Sequence, residues 1–480
     1  MSIFKRHLSV KLDRELVCSV GLILLFGGWL LLNFWFGFNL FIYLIAAIFG
    51  LLIPIVYPRA GLYALTWLML VFAKFFTLQS LIINQQEYKF YLVDIIFVAV
   101  LAGVFIRLLK GRLKIKLKWP DLFLLAFLSL TAIYFVLSVL SWSGVFALSF
   151  SSFKNYAFYP LFYFVTYLLI SDKQKLKTWL SFVMSATLVI IGFIVYGLVN
   201  GQGLWTEITP LSTVGSRILD FDHAFYLCLI SLFGLSYIIF KRGLAVRWLY
   251  MLLPIFFIGI VGSLMRHLWV ALVLAVIGVY FFLPKLKKSI FRQVVLSYTV
   301  ILVVLGLLAI FLANTLPFSH FSGYYHNVVN QLSTRAESLA DSNDSSIAWR
   351  GAVWQGVWEK YKDNLAGGLG FGQKVFIDMG DYQDYVEIRN IHNSFLAIFV
   401  QLGLAGFAIF CLFALGVFGK LLKYKTSGED GQTAKFALLA IMIFCAVAFL
   451  FQPYLEANFF NISFWLSLGL AKRTYEGTFS

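Results

Sequence analysis

The sequence predicts an all-α polytopic membrane protein with about fourteen transmembrane helices. Apolar residues occupy 61% of its 480 positions and charged residues only 12%, whereas a soluble domain has roughly 25% charged residues. The apolar runs are continuous and do not alternate with polar residues. Such runs favour helices, which satisfy their own backbone hydrogen bonds in lipid, over a β-barrel. Clusters of basic residues recur after every second run.

Fourteen apolar runs are near the length needed to cross about 30 Å of hydrocarbon at 1.5 Å per residue. They cover residues 16–36, 39–57, 61–81, 90–109, 120–142, 148–170, 177–199, 223–240, 246–264, 267–284, 295–316, 391–419, 434–452 and 456–471. The connections inside 16–57 and 246–284 are very short, so the number of spans depends most on these two pairs.

The distribution of Lys and Arg predicts the orientation. With fourteen spans, every basic cluster falls on one side, and basic residues mark the cytoplasmic side. Both termini are therefore predicted to be cytoplasmic, and the connections 200–222 and 317–390 to be extracytoplasmic. The net charge of +16 has the same explanation. This explanation outweighs a nucleic-acid-binding interpretation, in which the basic residues would neutralise phosphates.

The runs divide the chain into four parts: N-terminal transmembrane helices at 1–222, central ones at 223–316, a large helical extracytoplasmic loop at 317–390, before the twelfth run, and C-terminal ones at 391–480. Within the loop, helices are predicted at 327–340 and 346–362. The second is amphipathic, with Trp354 and Trp358 four residues apart and Arg350 one turn earlier. The four cysteines lie in or beside apolar runs without metal-ligand spacing, so we interpret them as packing residues.

Polar residues that could take part in catalysis or ligand binding lie on the predicted outer side. His392-Asn393 lies at the mouth of the twelfth run. A neutral imidazole there can act as a general base, although a polar residue at a helix end is the common alternative. A glycine-rich stretch containing Gly368 and Gly370 precedes it. Glycines permit close backbone approach to a ligand, and a flexible turn is an equally good interpretation.

Three arginines lie on the same side as this histidine. Arg266 interrupts the short outer link between two apolar runs, where an arginine is costly unless it reaches the interface or an anionic partner. Arg217 and Arg350 are the other two, and Lys154 is a weaker addition. Because guanidinium groups bind phosphate oxygens bidentately, these residues indicate an anionic substrate, and a lipid diphosphate is the natural candidate.

The pattern resembles the O-antigen ligase and O-antigen polymerase family of bacterial membrane glycosyltransferases. That family has a His-Asn or His-Ser pair, nine residues, and Gly-x-x-Gly; here His392-Asn393 is followed by nine residues and Gly403-Leu404-Ala405-Gly406. Arg350-x-x-x-Trp354 and the glycines at 368–372 are similar to the family's stretch before the histidine. The resemblance covers roughly residues 210–420.

Two arginines match the family less completely. Arg266 resembles the arginine of the family's Ser-Arg, but Met265 and His267 replace the usual serine and glycine. Arg217 resembles a further arginine, yet the following DFDHAF departs from the Gly-x-x-Asn-Pro type of sequence.

The resemblance implies a GT-C-like fold and a metal- and cofactor-independent, inverting transfer of a glycan from an undecaprenyl diphosphate carrier. His392 would be the base. Arg266, Arg350, Arg217 and Lys154 would bind the diphosphate, with Asn393, Gly368 and Gly370 in support. It also implies the bacterial cytoplasmic (inner) membrane, a periplasmic active site, a glycan or lipid-linked acceptor, surrounding membrane lipids and a chain-length regulator protein as a further partner.

Three functions stay open at this point. Fourteen spans and a modest loop lean towards a polymerase, which extends a lipid-linked glycan. A ligase would instead move a finished glycan onto lipid A core or another terminal acceptor. A transporter or lipid-carrier flippase is the alternative from another class, but such proteins generally have repeat-related halves, and the sequence has no convincing repeat.

Overall fold

The computed structural model describes residues 13–72, 81–83, 86–88, 91–142, 144–206, 217–315, 345–378, 383–426 and 428–478. Helices dominate these residues, and two short hairpins complete the secondary structure. The helices are α1 (Arg14–Phe36), α2 (Leu40–Val56), α3 (Pro58–Phe72), α4 (Leu92–Leu109), α5 (Trp119–Leu140), α6 (Phe146–Phe153), α7 (Phe162–Leu169), α8 (Lys173–Asn200), α9 (Phe221–Phe240), α10 (Leu244–Gly262), α11 (Arg266–Phe282), α12 (Lys285–Thr315), α13 (Ser345–Tyr361), α14 (Ser394–Lys423), α15 (Glu429–Ala448) and α16 (Asn458–Tyr475). The hairpins pair β1 (Leu81–Ile83) with β2 (Gln86–Tyr88) and β3 (Lys374–Asp378) with β4 (Gln383–Glu387), both antiparallel.

The protein is an all-α polytopic membrane protein, as the sequence predicts. Among the described residues nine helices are long and apolar enough to cross a membrane: α1, α4, α5, α8, α9, α10, α12, α14 and α15. The apolar helices α2, α3 and α11 are shorter. Large apolar side chains project outward from these helices; Phe41 and Leu140, for example, are each 78% exposed. Extended apolar surface of this kind is typical of contact with lipid.

Each of the fourteen predicted runs coincides with helical structure, although the exact number of spans stays a prediction. The third is described only as far as Phe72, because residues 73–80 lie outside the described residues. The sixth is interrupted. Between α6 and α7 the chain forms a π-helical turn at Lys154–Phe158 and a 3-10 turn at Tyr159–Leu161. Single π-helical turns inside helices frequently mark functional sites.

Contacts divide the chain into two compact units. One comprises Met1–Ile115 and Leu168–Val189, and the other comprises Lys116–Tyr167 and Ile190–Ser480. In the first unit, an Arg59–Glu15 ion pair of 3.0 Å joins α1 to α3. All the predicted site residues belong to the second unit.

In the second unit, α9 and α15 are largely enclosed by other helices, and 78% and 72% of their apolar windows are buried. Its α5 and α16 are joined by an ion pair between Asp121 and Lys472, 2.5 Å apart and both fully buried. The Tyr163 hydroxyl also donates to Asp121 at 2.6 Å. Because buried charges are tolerated only when they are paired and hydrogen-bonded, this cluster fixes the ends of both helices.

The described part of the large loop combines one helix with one hairpin. The predicted helix at 346–362 is confirmed as α13, and its buried face consists of Val353, Val357 and Tyr361. This face packs against Val375 and Ile377 of β3. The hairpin was not predicted from the sequence. The helix predicted at 327–340 lies outside the described residues.

Candidate active site

His392 occupies a strained turn at the start of α14. Its φ angle is 56°, a left-handed conformation that costs a non-glycine residue about 1–2 kcal/mol and that is found preferentially at functional sites. Asn393 caps the helix, since its side chain accepts a hydrogen bond from the Leu396 amide at 3.0 Å. The buried Ser394 hydroxyl donates to the Gln452 carbonyl at 2.9 Å. The turn is therefore held from both sides.

Helix α13 holds the histidine from the loop side. The Trp349 ring meets the imidazole edge to face, with 4.9 Å between the ring centroids. Trp354 Nε1 donates to the Ile391 carbonyl at 2.9 Å. Arg350 follows Trp349 directly, so the same helix that orients His392 also carries an arginine of the candidate site.

The environment of His392 keeps its imidazole unprotonated. Burial and, secondly, the Arg350 cation lower the pKa of His392 to about 4, so the ring is neutral near pH 7. Among the described residues its buried Nδ1 has no hydrogen-bond partner. Since buried polar atoms in proteins are usually hydrogen-bonded, this nitrogen is suited to a hydroxyl group of a substrate.

Arg266 is the first residue of α11 and follows a second strained turn. Leu264 has a φ of 58°, and the Ser263 hydroxyl donates to the Ile260 carbonyl at 2.7 Å. The next residue, His267, forms a 2.5 Å hydrogen bond between its Nε2 and the Tyr454 hydroxyl. The end of α10 and the start of α11 are thus joined by a sharp corner that presents an arginine and an imidazole together.

Arg217 is locked beside the same corner. It is only 3% exposed. Its carbonyl accepts from the Gly203 amide at 2.8 Å, and the next amide, of Ile218, donates to the Gly262 carbonyl at 3.0 Å. A Cβ atom at Gly203 would lie 2.2 Å from the Ile218 carbonyl oxygen, so this close backbone packing requires glycine.

The residues predicted from distant parts of the sequence converge on His267. Arg350, His392, Arg217 and Arg266 all lie near enough to influence its imidazole electrostatically. Three guanidinium groups and two imidazoles therefore share one neighbourhood. Such an arrangement can neutralise a substrate with two or more negative charges and can accept a proton beside it. The chemical roles of these residues stay predictions.

Lys154 has a different setting. It lies in the π-helical turn between α6 and α7, is 8% exposed, and holds its ammonium 5.7 Å from the centroid of the Tyr159 ring. The neighbouring Asn155 donates to the Glu456 carbonyl at 2.8 Å. Its predicted contact with the diphosphate stays a prediction.

The glycines of the motif fasten the loop to α14. Gly403 interrupts that helix with a φ of 66°, and a Cβ there would lie 2.2 Å from the Ala366 carbonyl oxygen. Gly368 faces the Gly403 backbone, and Gly370 faces the Trp142 ring, where an added Cβ would meet atoms at 2.5 and 2.2 Å. These glycines therefore allow parts of the protein itself to pack closely against one another.

Two further polar residues of this region were not predicted from the sequence. Tyr454, the partner of His267, is one. The other is Glu456, whose carboxylate accepts from Gln401 Nε2 at 2.8 Å and from the Ser152 hydroxyl at 3.3 Å. The segment from Gln452 to Asn458 contains several polar residues between two apolar runs, and it could have indicated both residues. The predicted span at 456–471 included part of this segment.

The central part of the chain matches a known protein family. Residues 249–411 match the family described as O-antigen ligase. This central segment is similar to the O-antigen ligase family. The match confirms the resemblance drawn from the His-Asn and Gly-x-x-Gly motif.

The matched segment spans about a third of the chain. It contains Arg266, Arg350 and His392, whereas Arg217 and Lys154 lie before it. No curated protein matches the chain. Among the described residues, no three His, Cys, Asp or Glu side chains are grouped as metal ligands would be.

Proposed function

We propose that the protein transfers a glycan from an undecaprenyl diphosphate carrier to an acceptor hydroxyl, with inversion at the anomeric carbon and without a metal or cofactor. The observation that carries the proposal is the grouping of Arg217, Arg266 and Arg350 with an unprotonated His392 around His267. The family match at residues 249–411 supports the reaction class.

The reaction is a single displacement. His392 takes the proton of the acceptor hydroxyl, whose oxygen forms a bond to the anomeric carbon. The bond from that carbon to the diphosphate oxygen breaks, and the diphosphate leaves with the electron pair. Arg266 and Arg350, with Arg217, stabilise the charge that grows on the leaving group. This electrostatic contribution is usually the largest, and general base catalysis adds about 10²–10⁴-fold.

Binding of the donor makes His392 more basic. With a pKa of about 4, His392 is unprotonated but weakly basic in the free enzyme. A bound diphosphate offsets the Arg350 cation that contributes to this low value, and so raises the pKa of His392 towards the working pH, where a general base is most effective. The imidazole thus becomes a better base when the donor is in place.

The proposed setting is the bacterial cytoplasmic membrane, with the site on the extracytoplasmic face and both termini in the cytoplasm. The basic clusters of the sequence support this orientation. We propose a polymerase first, with a lipid-linked glycan as acceptor and a chain-length regulator as a further partner. A ligase is the second candidate, because the matching family is described as O-antigen ligase.

The test uses purified protein and a defined undecaprenyl diphosphate oligosaccharide, with and without a metal chelator. A ladder of products supports the polymerase, and a single shifted band on a second acceptor supports the ligase. A reaction that survives chelation supports metal independence. If no glycan product forms with either acceptor while the donor crosses proteoliposome membranes, the protein is a transporter and the proposal fails.

A further inference from the structure

A basic cavity lies at the opposite end of the second unit from His392. It has a volume of about 310 Å³ and is lined by Lys116, Lys118, Lys420, Tyr475 and Glu476. The part of helix α14 after the kink at Gly403, residues 404–423, alone corresponds to roughly 30 Å at 1.5 Å per residue. His392 precedes the first turn of that helix and Lys420 lies in its last turn, so the cavity is separate from the candidate active site.

The back wall of the cavity is rigid. Lys472, fully buried in its ion pair with Asp121, also donates to the Lys116 carbonyl at 2.8 Å. The Tyr167 ring covers the Lys472 ammonium at 4.3 Å, and the Tyr167 hydroxyl donates to Glu476 Oε2 at 2.9 Å. The end of α16 is therefore fixed, while the three lysines that line the cavity are exposed around its mouth.

One buried polar atom of the cavity lacks a partner. Glu476 Oε1 forms no hydrogen bond with any of the described residues. Buried polar atoms normally have a partner, so this carboxylate oxygen indicates a ligand that supplies a hydrogen-bond donor. The lining carries three ammonium groups and one carboxylate, and this net positive charge favours a ligand that also carries negative charge.

We propose that this cavity binds a phospholipid headgroup through its phosphate and through an adjacent hydrogen-bond donor, either an ammonium or a hydroxyl group. The phosphate lies among Lys116, Lys118, Lys420 and the Tyr475 hydroxyl, and the donor group binds Glu476. The position fits a lipid, because the cavity lies where α5 begins and where α14 and α16 end. Basic residues at such helix ends attract anionic headgroups. The inference does not depend on the proposed glycosyl transfer.

The test measures lipid binding to the full-length, delipidated protein by native mass spectrometry. Phosphatidylglycerol and phosphatidylethanolamine are titrated, with phosphatidylcholine and inorganic phosphate as comparisons. The variant Lys118→Gln/Lys420→Gln removes two charges of the cavity. Its matched control, Lys114→Gln/Lys423→Gln, removes two exposed charges that do not line the cavity.

The cavity variant is expected to bind these lipids on the order of 25-fold more weakly, at about fivefold per lysine, equivalent to about 1 kcal/mol each. The control is expected to bind like the wild type. Tyr475→Phe, which removes a hydroxyl that lines the cavity, is expected to weaken binding severalfold.

Three outcomes overturn the proposal. Equal losses in the cavity variant and its control would mean that binding reflects overall charge. Phosphatidylcholine bound as tightly as phosphatidylethanolamine would remove the role of the donor group. Binding of inorganic phosphate without retention of any phospholipid would identify a site for free anions instead of a headgroup.

Discussion

The substitution Gly403→Ala tests whether the kink in α14 aligns the loop with the membrane helix. Gly403 has a φ of 66°, and a Cβ atom there would lie 2.2 Å from the Ala366 carbonyl oxygen and 2.9 Å from two carbonyl carbons. All three are backbone atoms, which cannot rotate away as a side chain can. The loop segment that carries them must therefore move.

The expected cost has two parts. A left-handed backbone costs alanine about 1–2 kcal/mol, and overpacking a close contact typically adds about 1–3 kcal/mol. The loss of stability is then roughly 2–5 kcal/mol. Part of it is relieved when the loop shifts away from α14, taking Arg350 away from His392. A misplacement of about 1 Å can reduce turnover about 100-fold.

The assay compares glycan transfer and thermal unfolding of Gly403→Ala with those of Gly419→Ala. Gly419 lies on the same helix, and a Cβ there meets nothing within 4 Å. The control should therefore be neutral or slightly stabilising, since alanine favours a helix interior over glycine by about 1 kcal/mol. Wild-type turnover and an unchanged unfolding temperature for Gly403→Ala would refute this explanation of the motif.

Three further predictions concern the catalytic groups. Arg266→Lys should reduce turnover about 10–100-fold, because an ammonium replaces the bidentate guanidinium; unchanged turnover would count against diphosphate binding there. Because His392 must be unprotonated, kcat/KM should stay level down to about pH 5 and fall as the pH approaches 4. The value of kcat should fall at a higher pH, because the bound diphosphate raises the pKa of His392. A fall of kcat/KM near pH 6.5 would contradict this prediction. Trp354→Phe should cost about 1 kcal/mol and lower kcat severalfold by releasing the Ile391 carbonyl, whereas Trp358→Phe on the same helix should not; equal effects of the two would argue against this hydrogen bond.

Hydropathy and helical periodicity predicted most of the fold because both are local properties of the sequence. The apolar runs coincide with helices, and the spacing of apolar positions located α13. The π-helical turn at Lys154–Phe158 could not be predicted in this way. It packs against Glu456, roughly 300 residues later in the chain, so it depends on a tertiary contact. The β3–β4 hairpin likewise packs against α13.

The candidate site was predictable in part. The positive-inside pattern put Arg217, Arg266, Arg350 and His392 on one side, and the structure gathers them around His267. In the sequence, His267 was notable only as a departure from the family's glycine. Its significance depends on Tyr454, nearly 190 residues away. The sequence likewise could not reveal that the motif glycines contact α14 and Trp142, since glycine permits close approach to a ligand and to protein alike.

Catalysis by His392 is tested most directly by single-turnover glycan transfer in the variant His392→Asn. Asparagine tolerates the left-handed conformation of this position better than most residues, so the turn and the cap of α14 are kept. The account predicts that the variant binds the lipid diphosphate donor with near wild-type affinity but transfers glycan at least 100-fold more slowly. Transfer at the wild-type rate would show that another group accepts the proton and would contradict the account.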